Sequence, residues 1–160
     1  MEATWRPVQA AAGPIRVWLP AGARLEDVGG VEYWSPDAHQ GRFTVASIDG
    51  EDGERLLAAE RAAGGEVIVE LDEKVQRGGV DVRRLRYRVR HREPREVLVG
   101  EDGETRHTGG TPAEHLSDVL VLRDGDRVVR AGYSVRTDAD PELRATFAEI
   151  LDRVDVGSER

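Results

Sequence analysis

The chain has 160 residues, of which 34% are charged and 39% hydrophobic, and its formal net charge is -8. That length allows one hydrophobic core, burying roughly 70% of the surface the unfolded chain would expose, while the acidic surplus repels phosphate and argues against a general nucleic-acid binder. No apolar run approaches the ~20 residues of a membrane-spanning helix, and the absence of cysteine removes disulfides, thiolate nucleophiles and Cys-ligated zinc.

Residues 1–13 are Ala-rich without a usable period and read as a loosely ordered lead-in. They contain no basic segment followed by an apolar one, so a cytoplasmic location is expected, with a mature secreted form as the alternative. Ile15, Val17 and Leu19 alternate up to Pro20 as a first strand. Trp18 lies out of phase with them, either covering a second face or marking a binding edge. The segment AGARLED reads as a loop. Val31 to Trp34 and Arg42 to Ile48 then form a hairpin around SPDAHQG. Asp49 or Asp52 can cap a short helix over ERLLAAERAAGG, which Gly64 and Gly65 terminate.

The stretch EVIVELDEKVQRGGVDVRRLRYRVRH has the least common pattern. Arg84, Arg86, Arg88 and Arg90 alternate with Leu85, Tyr87 and Val89, so four guanidinium groups share one strand face. Such a row suits an anion or an acidic partner. It also suits a cross-strand charge ladder. A three-residue loop of Arg77, Gly78 and Gly79 places Leu85, Tyr87 and Val89 opposite Leu71, Val69 and Val67. The same register sets Arg84, Arg86 and Arg90 against Asp72, Glu70 and Glu66, with Arg88 opposite Ile68.

Val97 to Val99 is another short strand, followed by a polar Gly-rich stretch over residues 100–115 that reads as a long loop or contact surface. It holds His107 and His115. The spacing of His107, His115 and Asp118 matches no helix-borne metal pair, and no metal or other cofactor is expected. None of the five serines sits in GxSxG, and neither acidic Gly-containing turn has the spacing of a phosphate-binding loop. No catalytic residues are assigned, and an enzyme is not expected.

Residues 118–154 are the best signalled. An Asp124-Gly125 turn sets Val121 opposite Val128, so that Leu120, Leu122, Val129, Tyr133 and Val135 share one face. Asp140 is a natural N-cap, Pro141 suits the first helical position, and Glu142 complements the helix dipole. Leu143, Phe147, Ile150, Leu151 and Val154 form a single apolar stripe that the sheet face can receive. Residues 155–160 are left as a tail. The expected class is α+β: an antiparallel central sheet flanked by an internal short helix and a C-terminal helix, an αβα sandwich in one domain over residues 14–154.

This order, from the opening strand ending in LPAG through ERLLAAERAAGG and VLVLRDGDRVVRAGYSV to PELRATFAEILDRV, resembles the PsbP-like superfamily of Mog, PsbP and DcrB-like proteins. The resemblance covers about residues 14–154 and carries no functional residue of those proteins onto this chain. It implies a non-catalytic binding or adaptor module with a protein partner. In bacteria, the source suggested by an Arg-dominated basic content, it extends to chaperones of secreted effectors. A small-ligand or anion-binding protein is the alternative. The binding candidates are Arg84, Arg86, Arg88, Arg90, His107, His115 and Trp18; nucleic acid and a membrane span are not expected.

Overall fold

The computed structural model describes residues 4–11, 15–37, 39–48, 53–62, 65–77, 80–93, 97–99, 105–107, 111–124 and 127–156. In chain order the elements are β1 (Trp5–Gln9), β2 (Ile15–Pro20), β3 (Glu26–Val28), β4 (Val31–Trp34), β5 (Gly41–Ile48), α1 (Gly53–Ala62), β6 (Glu66–Arg77), β7 (Val80–Glu93), β8 (Val97–Val99), β9 (Thr105–His107), β10 (Thr111–Asp124), β11 (Arg127–Arg136), α2 (Pro141–Asp152) and β12 (Asp155–Val156). Seven strands form one antiparallel sheet in the order β3-β4-β5-β11-β10-β7-β6, β1-β2-β12 form a second, and β8-β9 a third. This is the expected α+β class.

Period-two alternation sorts the large sheet into two faces. Phe43, Val45, Val82, Leu120, Leu122, Val129, Tyr133 and Val135 point to one side, where they bury against Phe147, Ile150 and Leu151 of α2 and against Ile15, Val17 and Leu19 of β2. Leu85, Tyr87, Val89, Val119, Val121 and Val128 point to the other, where Leu57 of α1 completes a smaller cluster. At the centre of the larger core Phe147 stacks on Tyr133, with centroids 5.7 Å apart, and meets the edge of Trp34 at 5.9 Å.

Helix α2 begins and ends for separate reasons. The Asp140 carboxylate accepts the Glu142 amide at 2.9 Å, and Pro141 occupies the first turn. Its last turn carries no basic residue of its own. Instead Arg77, at the end of β6, donates from Nη1 to the carbonyls of Leu151, Asp152 and Val154 at 3.4, 3.1 and 3.2 Å. A guanidinium there satisfies orphan carbonyls and opposes the negative end of the helix dipole.

Arg77 reaches that position because β6 contains an irregularity. Val67, Ile68 and Val69 pair with Val89, Arg88 and Tyr87, but beyond a shift between Val69 and Leu71 the pairs become Leu71↔Arg86, Glu73↔Arg84, Val75↔Val82 and Arg77↔Val80. One extra residue, Glu70, is accommodated in β6, and every later side chain changes face. The expected register holds for the half of β6 before Glu70. It fails for the half near the turn, where Arg77 pairs directly with Val80 and leaves two residues, not three, between them.

Other differences are local. β10 and β11 pair with Asp124 opposite Arg127, two residues out from the expected register, so Val121 faces Arg130. A shift of two preserves the faces, so Leu120, Leu122, Val129, Tyr133 and Val135 share one face as expected. Residues 5–9, expected to be loose, form β1 against β2, and residues 155–156 pair with β2 on its other side. β3 begins at Glu26, in the last two residues of the expected AGARLED loop, and ends at Val28. The stretch over residues 100–115 contains β9, and β10 already begins at Thr111. The proposed caps Asp49 and Asp52 lie outside the described residues.

Candidate functional site

The four arginines of β7 alternate in phase with Val82, so they stand on the α2 side of the sheet, beyond the area the helix covers. All four are ion-paired, chiefly to β10 and not to the expected β6. Arg84 makes a two-pronged contact with Asp118, Nε to Oδ1 at 3.2 Å and Nη2 to Oδ2 at 3.0 Å, and Arg86 adds Nε to Oδ2 at 3.1 Å. Arg90 donates from Nε to Glu114 at 2.6 Å. Arg88 bridges Glu70 at 3.2 Å and Glu114 at 3.6 Å. The residue least explained by sequence is thus held by carboxylates from both neighbouring strands, one of them the extra residue of β6. Its Nε is buried without a hydrogen-bond partner among the described residues.

Solvent exposure is lowest at Arg84 and highest at Arg90. The Asp118 side chain is 2% exposed and Arg84 18%, whereas Arg86, Arg88 and Arg90 reach 39%, 35% and 53%. The electrostatics follow. The hydrogen bond to Asp118 pushes the Arg84 pKa up against the opposing effect of burial. Tyr133, beside Asp118 on the same face, is pushed up to about 12 by burial and then by the Asp118 charge. At the open end the Arg90 hydrogen bond draws Glu114 below the ordinary glutamate value.

The other sequence candidates do not join this row. His115 pairs in register with Val89 and Arg136, on the α1 side of the sheet, and lines a hollow of about 230 Å³ with His39, Gln40, Arg42 and Ser134. Trp18 lies in the small sheet, where its Nε1 donates to Asp155 at 3.1 Å. The strand β9 ends at His107, whose side chain lies outside the described residues. Among the described residues no group of three His, Asp or Glu side chains is placed to hold a metal ion, and no helix is long and apolar enough to cross a membrane.

Sequence reasoning missed Asp118 and Glu114 as partners of the row. A signal existed: both fall in phase with Leu116, Leu120 and Leu122, so two carboxylates sit on a face otherwise built for burial.

No protein-family model matches the chain, and no curated protein matches it in sequence. Solved structures do. The solution structure of cyanobacterial PsbP (CyanoP) from Synechocystis is similar at a TM-score of 0.59 and 16% identity, over 98% of this chain and 95% of that one. The Saccharomyces cerevisiae Ran-binding protein Mog1p is similar at a TM-score of 0.54 and 12% identity, over 98% and 97%. Similarity spanning both chains at such low identity establishes architecture, and the chain has the fold shared by PsbP and Mog1p.

Proposed function

We propose that this chain is a non-catalytic binding module that engages a protein partner through the open end of the arginine row and the adjoining edge strand β6. The observation that carries the reading is the part-exposed lattice of Arg88 and Arg90 with Glu70 and Glu114. It is broad and shallow, and each guanidinium is already held in place by a carboxylate. Pre-ordered arginines lose little side-chain freedom on docking, and arginine is enriched in protein interfaces. One protein of this fold is described as Ran-binding, which supports protein binding as the class without naming a partner here.

The alternative, a free anion held by the same arginines, fits less well, because Asp118, Glu114 and Glu70 already balance most of the charge of the row. A narrower form of the first reading, a chaperone or adaptor for a secreted effector, rests on the family resemblance and requires the coding gene to sit beside secretion genes.

The test is a double exchange, Glu66→Arg with Arg90→Glu. These two residues pair across the strands, and because Arg90 also donates to Glu114 the exchange is combined with Glu114→Gln, so that no like charges face each other while the pattern shown to a partner is inverted. Recovery from the native host of a partner that binds the unaltered chain is expected to drop at least tenfold. Arg61→Glu on α1 is expected to leave it unchanged. Equal recovery of the partner by both variants sinks the proposal.

A further inference from the structure

On the α1 side, close to where the β6-β7 and β10-β11 hairpins turn, a hollow of about 260 Å³ is lined by Lys74, Asp81, Arg83, Val121, Arg123 and Val128 among others. Its floor is apolar: Val121 is 5% and Val128 1% exposed. Its walls are cationic. Lys74 stands directly opposite Arg83 in the β6-β7 ladder, an arrangement of like charges that costs stability. Arg83 resolves part of this by a two-pronged contact with Asp72 at 2.8 and 2.7 Å. Asp81, the carboxylate in the lining, accepts from Gln76 at 3.1 Å. Lys74 and Arg123 make no ion pair with any described residue and are exposed. A chain of net charge -8 thus gathers three cations around two buried valines, against one carboxylate in the lining, Asp81, and one beside it, Asp72, that is paired with Arg83.

We infer that this hollow binds a small amphiphilic anion, an apolar body of a few carbons carrying a carboxylate or a phosphate. The valine floor would bury the body, and Lys74 and Arg123 would hold the charged head from opposite walls. Binding would relieve the Lys74–Arg83 repulsion, so the site is electrostatically incomplete without its ligand. The inference does not rest on the protein-binding reading: the arginine row lies on the other face of the sheet, and the two share the edge strand β6 alone.

Lys74 is the only lysine of the chain, which makes its acylation rate a single-site reporter. The experiment measures acetylation of Lys74 by mass spectrometry in the presence of hexanoate, hexyl phosphate, acetate or hexanol, each at 10 mM, on the order of weak-ligand screening concentrations. Hexanoate or hexyl phosphate is expected to slow acetylation at least threefold, while acetate and hexanol leave it within a factor of about 1.5. Arg123→Gln is expected to abolish the protection, so that its rates with and without hexanoate or hexyl phosphate agree within a factor of about 1.5. Absence of protection by both amphiphiles overturns the site. Equal protection by acetate or by hexanol also overturns it, because then either the charge or the apolar body would be dispensable.

Discussion

The two ends of the arginine row use one residue type, on one strand, at one spacing, and do different work. At the closed end Arg84 and Arg86 share Asp118, a carboxylate almost removed from water, alongside the apolar bed of α2. At the open end Arg88 and Arg90 share Glu114 under solvent. A pair taken out of water must be retained intact, because removing one partner strands a charge in a poor dielectric. A pair left in water contributes little and can exchange its partner for another molecule. Position along the strand, and not composition, separates the structural half from the available half.

This division can be broken most directly at Asp118. Asp118→Ala leaves the guanidinium of Arg84 partly buried without its carboxylate, and urea unfolding is expected to show a loss of about 3–5 kcal/mol. A loss below about 1 kcal/mol would mean that the closed end is no more structural than the open one.

The next effect is read in alkali. Burial raises the folded pKa of Tyr133 to about 12, above the ordinary tyrosine value of about 10, so it stays protonated in the folded chain while it ionises in the unfolded one. Its contribution is complete below pH 10 and is lost as pH rises towards 12, with an expected fall of about 2 kcal/mol. Tyr133→Phe should remove that part of the decline, as measured by unfolding at a series of pH values. An identical decline in the variant would detach Tyr133 from it.

Arg77→Ala removes the external cap of α2, and a loss of about 1–2 kcal/mol is expected from the same unfolding measurement. The smallest effect belongs to the open end. Glu114→Gln should cost less than about 1 kcal/mol at neutral pH. Because the folded pKa of Glu114 lies below its unfolded value, that difference is present above the ordinary glutamate range and disappears as pH falls through the folded pKa. A variant losing as much as Asp118→Ala would erase the distinction between the two ends.

Much of the architecture was legible because alternation reports faces. The apolar stripe of α2, its Asp140 cap and the shared face of Leu120, Leu122, Val129, Tyr133 and Val135 all follow from local periodicity. Partners were less legible. β7 has acids in sequence on both sides, Glu66 to Glu73 on β6 and Glu114 and Asp118 on β10, and nothing in its own alternation says which strand supplies the counter-charge. Proximity in sequence favoured β6, and burial of Asp118 decided for β10. Edge pairing was least legible of all: β1 contains Pro7 and no apolar alternation, and an edge strand needs neither a full donor set nor a buried face. The distribution of Trp18, His115 and the arginines over three separate places could not be read either, since it depends on which sheet and which face each strand joins.

The extra residue in β6 has a consequence for how this chain tolerates changes in length. Glu70 contributes no side chain to either core, and by exposure alone it looks dispensable. It marks the point where the numbering of the strand changes phase: upstream of it the even-numbered side chains of β6 look towards α2, and downstream the odd-numbered ones do. Deleting it would join Val69, opposite Tyr87, directly to Leu71, opposite Arg86, so the ladder would become regular with every later pair and face kept, Val75 in the larger core and Arg77 at the end of the helix it caps. Among the described residues, the one ion pair lost is that of Glu70 with Arg88, so this strand can be shortened by a residue at its bulge without disturbing the end of a helix some eighty residues later.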